Sequence, residues 1–184
     1  MWFGKVVALQ APVSDRESLG LTPGDHSVHL AQARSLISQH KGDEYMPRTA
    51  FWAPVTAYRY LSLFGVGGDD DFFSSDFTDK ELGERLGHVG EIGRENGSLD
   101  VLVAFSKKDE YVPDSVEKDA LLDRLVSAMN GLEDKERNDE TASRVEVATG
   151  LMLEHGNHNL SEGEGDKEVF VEAVGNMMKL ATNK

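Results

Sequence analysis

The 184 residues contain no cysteine. Disulfides and thiolate metal sites are therefore excluded, and secretion has no support from a disulfide framework. Positive charge is also scarce. Nineteen Lys and Arg face thirty-three Asp and Glu, for a formal charge of −14. A chain this acidic repels phosphate backbones and anionic lipid surfaces, so neither nucleic acid nor membrane is expected as a partner. No apolar run approaches the roughly 20 residues needed to span a bilayer. The opening Met-Trp-Phe-Gly-Lys has no basic region before its apolar stretch, and Gln10 and Pro12 soon interrupt it. It is a poor signal peptide, and a cytoplasmic location is the expectation. Hydrophobic residues at 39% and aromatics at 8% nevertheless suffice for a packed core.

The apolar patterning predicts an α/β protein. Val6, Val7, Ala8 and Leu9 form a short run closed by Pro12, as expected of a strand buried on both faces of a parallel sheet. Residues 99–105 give the clearest strand, and 145–153 a further one interrupted by Gly150. Between the first two strands the reading is helical and irregular. Thr22-Pro23 is a helix start. Pro54 can open a second helix through Tyr58, Leu61 and Leu63, and Thr78-Asp-Lys-Glu81 is a capping-box match for a third. Residues 20–97 are thus expected to form a helical cap inserted over the sheet, within a single domain spanning 1–184.

After the second strand, Asp114-Ser-Val-Glu117 has capping-box spacing ahead of Leu121, Leu122, Leu125, Val126 and Met129 at helical intervals. Residues 132–143 are charged and polar and predict an exposed loop. Asp166 can cap a last helix with Val169, Phe170, Ala173, Val174, Met177 and Met178 on one stripe. Strand, helix, strand, helix in this order predicts parallel crossovers.

Two residues carry candidate chemistry. Asp109 follows the strand-like run 99–106 by three positions, where functional groups gather in open α/β sheets. A carboxylate there can orient an imidazole; it can equally be a turn aspartate bonding its own backbone. A histidine follows the third strand in Gly-Asn-His-Asn (156–159), in a loop suited to a general base. His155, three residues earlier than His158, competes for that role. Acid then histidine, each past its own strand, is the order of the last two members of a Ser…Asp…His triad in α/β-hydrolases. No Gly-x-Ser-x-Gly occurs in the 184 residues. Ser14 follows the first strand but lacks the small flanking residues of a nucleophile elbow.

Other clusters read more simply. Asp69, Asp70 and Asp71 lack the alternating oxygen ligands of a calcium loop and predict a solvated acidic loop. Gly65-Val-Gly-Gly68 does not join a strand to a helix in phosphate-loop fashion, and only flexibility is expected of it. No metal or other cofactor is expected.

Four segments resemble a known family: Leu-Gln-Ala-Pro-Val-Ser-Asp-Arg-Glu (9–17), Gly-Asp-Asp-Asp-Phe-Phe-Ser-Ser-Asp (68–76), Asp-Glu-Tyr-Val-Pro-Asp-Ser-Val (109–116) and His-Asn-Leu-Ser (158–161). Together they are similar to a fungal α/β-hydrolase family, formerly a domain of unknown function, that includes esterases opening fusarinine-type siderophores. The resemblance implies the C-terminal part of an α/β-hydrolase fold, with a cap between its sixth and seventh strands. It implies Asp109 as catalytic acid and His158, which carries the following Asn-Leu-Ser, as catalytic histidine. It also implies earlier strands, an elbow serine and an oxyanion hole, none of which these residues contain.

The expected function is that of a serine-type carboxylic-ester hydrolase acting on a small-molecule ester, with siderophore esters as one substrate class. The alternative is a non-catalytic, truncated or degenerate half-domain. An incomplete parallel sheet also predicts self-association through its exposed edge.

Overall fold

In a computed structural model, residues 5–22, 25–96, 99–131 and 146–182 are described. They fall into two compact units, one of residues 13–74 and one of residues 1–12 with 75–184. The strand-bearing unit holds β1 (Lys5–Gln10), β2 (Leu99–Ser106) and β3 (Ala148–Leu153), paired in the order β1-β2-β3 and parallel throughout. The register sets Leu9 beside Val103, and Ala104 beside Leu151. β2 is the central strand, and Val101 through Phe105 are all buried. A continuous apolar run, without polar alternation, is what a strand covered on both faces requires.

Strand β1 departs from the same expectation. It pairs with β2 alone among the described residues, and Val7 remains 41% exposed. Helices α5 (His88–Asn96), α6 (Lys118–Met129) and α7 (Asp166–Thr182) pack on the sheet. Leu121, Leu122, Leu125, Ala128 and Met129 form the inward face of α6. On α7 the expected apolar stripe is narrower: Val169 and Met178 face solvent, whereas Phe170, Ala173, Val174 and Met177 are half-buried.

Buried Asn130, just past α6, acts as a surrogate strand neighbour for β3. Its Oδ1 accepts from the N–H of Val147 at 2.8 Å and of Ala148 at 2.9 Å, while its Nδ2 donates to Ala148 O at 2.9 Å. The Thr78–Glu81 capping box forms as expected and starts α4 (Asp79–Leu86), with Leu82 and Leu86 buried. Arg124 of α6 holds that start in place, through Asp79 Oδ1 at 2.5 Å, Ser75 O at 3.0 Å and Phe77 O. The box expected at Asp114–Glu117 does not form. Val116 instead closes a turn onto Pro113 O at 2.9 Å, and α6 begins at Lys118 without a side-chain cap.

Residues 13–74 form the helical unit, with α1 (Asp15–Leu19), α2 (His26–Ser38) and α3 (Ala57–Phe64). Its core is Ala33, Met46, Ala50, Val55, Ala57, Tyr60 and Phe64. Helix α2 starts three residues beyond the expected proline, capped by Asp25, whose Oδ1 accepts from Ser27 N–H at 3.0 Å. Helix α3 is capped by Thr56. Pro23 and the loop expected over 132–143 lie outside the described residues. Helices α4 and α5, within the 20–97 range expected to form the insertion, belong to the strand-bearing unit.

The acidic run is solvated only in part: Asp69 is exposed, whereas Asp71 is not. Asp71 is buried, with Oδ2 at 2.8 Å from Arg16 Nε, and it also accepts from the Ser74 hydroxyl. Asp70 pairs with Arg59 and accepts from Ser62 Oγ at 2.5 Å. For the buried Asp71, Arg16 and Ser74 replace water as partners, as a buried carboxylate requires. Two of the adjoining glycines also meet conformational demands. Gly67 has φ +67°, and a Cβ on Gly68 would collide with Ser62 O. Among the described residues no helix is long and apolar enough to cross a membrane.

Candidate active site

The site is built at the carboxyl ends of the strands. After Ser106 the chain turns, with Asp109 N–H on Ser106 O at 3.1 Å. The turn is pinned from α6: Lys118 Nζ donates to Lys107 O at 2.8 Å and to Asp109 O at 3.0 Å. Asp109 is 2% exposed. Its Oδ1 accepts from Tyr111 N–H at 2.9 Å, the local bond that favours aspartate in turns. It also faces an imidazole: His158 Nδ1 lies 3.0 Å from Oδ2 and 3.2 Å from Oδ1. The turn role and the pairing role of Asp109 thus coexist.

The structure therefore brings together the two site residues expected from the sequence, across 49 positions of chain. With Asp109 ionised, Nδ1 carries the proton it donates. Nε2 then keeps its lone pair, the state a general base needs. Nε2 makes no hydrogen bond among the described residues, and the His158 side chain is 32% exposed. The Tyr111 ring packs edge-on against the imidazole, with centroids 4.6 Å apart.

The loop that presents His158 is held at several points. Asn157 Oδ1 accepts from Ser161 N–H at 2.9 Å and Glu162 N–H at 3.1 Å. Asp166 Oδ2 accepts from His155 N–H at 2.7 Å and Gly156 N–H at 2.6 Å. Gly163 closes the loop at φ +91°, where a Cβ would lie 2.5 Å from His155 C. His158 N–H donates to Glu110 Oε2 at 2.9 Å, and Gln10 Nε2 donates to His158 O at 2.5 Å. The Glu110 carboxyl is held below its usual range, chiefly by that backbone N–H and secondarily by its own.

Local sequence pattern does not single out several of these groups. Asp166 is the first residue of α7, as its capping chemistry suggests, but its carboxylate is spent on the histidine loop. Gln10 is the polar residue that ends the apolar run of β1, the one signal that could have drawn notice to it. Ser14 has its hydroxyl engaged within its own unit. It caps α1 through Glu17 N–H at 3.1 Å, is 5% exposed, and shares a 2.6 Å hydrogen bond with Ser74 Oγ. His155 serves this loop through its backbone N–H, bonded to Asp166, rather than through its ring. No group of three or more His, Asp or Glu among the described residues could hold a metal ion.

Siderophore hydrolase EstB from Aspergillus fumigatus has a similar structure, with TM-score 0.72 and 26% identity over 96% of this chain and 57% of that one. The parallel sheet and its helices are a part of an α/β-hydrolase fold. The chain belongs to the family described as "Protein of unknown function (DUF1749)", which matches residues 5–179. It is also similar to fusarinine C esterase sidJ of Aspergillus fumigatus, at 34% identity over 146 residues, 65% of this chain and 41% of that protein. Esterase AN6793 of Emericella nidulans is 31% identical over 143 residues, 63% of this chain and 38% of that protein. The chain spans about two fifths of the length of these curated relatives.

Proposed function

We propose that these residues supply the acid–base half of a serine-type carboxylic-ester hydrolase. The observation that carries the proposal is the buried Asp109 carboxylate 3.0 Å from His158 Nδ1, at the ends of parallel strands. In this reading His158 Nε2 takes the proton from a serine hydroxyl as its oxygen attacks the ester carbonyl. It then delivers that proton to the leaving alcohol as the carbon–oxygen bond breaks. Water repeats the cycle on the acyl-enzyme and releases the acid. Asp109 holds the ring and stabilises its protonated form. The serine would come from a Gly-x-Ser-x-Gly segment outside these 184 residues, and the helical residues within 20–97 would serve as the cap.

The names of the relatives support ester-linked siderophores of the fusarinine C type as the substrate class. The test is to incubate the complete protein that carries these residues with fusarinine C and follow the released acid by mass spectrometry. Release is expected. Cleavage of a nitrophenyl ester without cleavage of fusarinine C would remove the siderophore reading and leave ester hydrolysis. A second reading, a non-catalytic half-domain, is favoured by the missing Gly-x-Ser-x-Gly. It predicts that no form of the protein turns over either ester.

A further inference from the structure

The Asp109 contact fixes one ring nitrogen, but where Nε2 faces depends on where the His158 backbone is held. That backbone is gripped at both of its polar groups. Its carbonyl accepts from Gln10 Nε2 at 2.5 Å, and its N–H donates to Glu110 Oε2 at 2.9 Å. Gln10 ends β1, and the next residue returns to the central strand, with Ala11 N–H on Ala104 O at 2.8 Å. Ala11 makes this turn at φ +52°, a left-handed conformation that non-glycine residues rarely adopt and that fixes the chain direction at that point. Glu110 adjoins Asp109, so the carboxylate facing the ring and the one holding the backbone share a single turn, itself pinned by Lys118. The bonds from Asn157 shape the histidine loop internally and those from Asp166 tie it to α7, whereas Gln10 ties it to the sheet.

We propose that Gln10 and Glu110 are positioning residues for His158, a two-sided backbone clamp that aims Nε2 for proton transfer. The proposal rests on the acid–base reading given above. Neither side chain need touch substrate. Their effect comes through the placement of the histidine, and a displacement near 1 Å at a reacting group can cost about a hundredfold in rate.

The test uses the complete protein and a nitrophenyl ester, with four variants chosen for hydrogen-bonding capacity. Gln10→Glu keeps the shape but, when ionised, has no donor for the carbonyl, while Gln10→Lys restores a donor. Glu110→Ala removes the acceptor, while Glu110→Gln retains one. Gln10→Glu and Glu110→Ala are expected to lower kcat by about 10- to 100-fold with KM little changed, and the two donor- or acceptor-retaining variants to recover most of the loss. A merely structural tie would lower thermal stability without this split or this rescue. Glu110 is exposed, so Glu110→Ala and Glu110→Gln decide the question if a Gln10 variant fails to fold. Parental kcat in Glu110→Ala, or equal loss in Glu110→Ala and Glu110→Gln, overturns the clamp. His158→Ala run alongside separates the two claims. If it is inactive while the clamp variants are normal, only the clamp fails. If it is as active as the parent, the acid–base reading fails and the clamp with it.

Discussion

Replacing Asp109 with Asn is expected to stop catalysis while leaving the fold in place, and the geometry says why. Asp109 Oδ1 accepts from Tyr111 N–H at 2.9 Å, and Oδ2 is the oxygen 3.0 Å from His158 Nδ1. An asparagine there must turn its carbonyl oxygen toward the Tyr111 N–H, because an amide NH2 would oppose a donor. Its NH2 then occupies the Oδ2 position and faces His158 Nδ1. To accept that bond, Nδ1 must give up its proton, so the proton moves to Nε2 and the base is lost. The same exchange of tautomer in a serine protease costs on the order of 10⁴ in kcat, which corresponds to about 5 kcal/mol of transition-state stabilisation. The Tyr111 bond survives in neutral form, so stability should change by only about 1 kcal/mol. The assay is nitrophenyl-ester turnover by the complete protein, together with ¹⁵N NMR of the imidazole in the 184-residue chain. Turnover within about tenfold of the parent, or an imidazole still protonated at Nδ1, would refute the reasoning.

Other substitutions test the scaffold around the pair. Asn130→Leu leaves the Val147 and Ala148 N–H groups and Ala148 O without their side-chain partner. At roughly 1–3 kcal/mol for each buried unpaired group, a loss of about 3 kcal/mol or more is expected in denaturant unfolding. Gly163→Ala, at φ +91° and against His155 C, should cost more than the roughly 1–2 kcal/mol of a left-handed residue and should broaden His158 resonances. Unchanged spectra would show that the loop tolerates a side chain there. Glu110 should contribute to acid stability. Its carboxyl is held below the ordinary value of 4.5, so its contribution is present above that value and fades as pH falls through the lower, folded-state value. Melting of Glu110→Gln should therefore depend less on pH below about 4.5 than melting of the parent, and identical profiles would contradict this.

The parts of this architecture legible in the sequence are those written in local pattern. The apolar run of β2 and the Thr78–Glu81 box are each visible within a few residues, and Asp109 and His158 are each marked by the loop after a strand; the structure brings that pair together across 49 positions. What escaped notice depends on partners far away in the chain. Asp71 looks solvated until Arg16, 55 positions earlier, reaches it. Gln10 gains its role from a carbonyl 148 positions later. Asp166 fits the rule for a helix start, and only the folded loop shows that His155 and Gly156 claim its carboxylate. The Asp114–Glu117 spacing misled because the Pro113 turn delays α6 to Lys118, whose ammonium serves the Asp109 turn.

The most direct test of the account is the kcat of the complete protein for a simple carboxylic ester, measured with and without His158→Ala. If Asp109 and His158 form the acid–base pair of a serine hydrolase, the variant should lose on the order of a million-fold. Equal turnover by variant and parent would contradict the account.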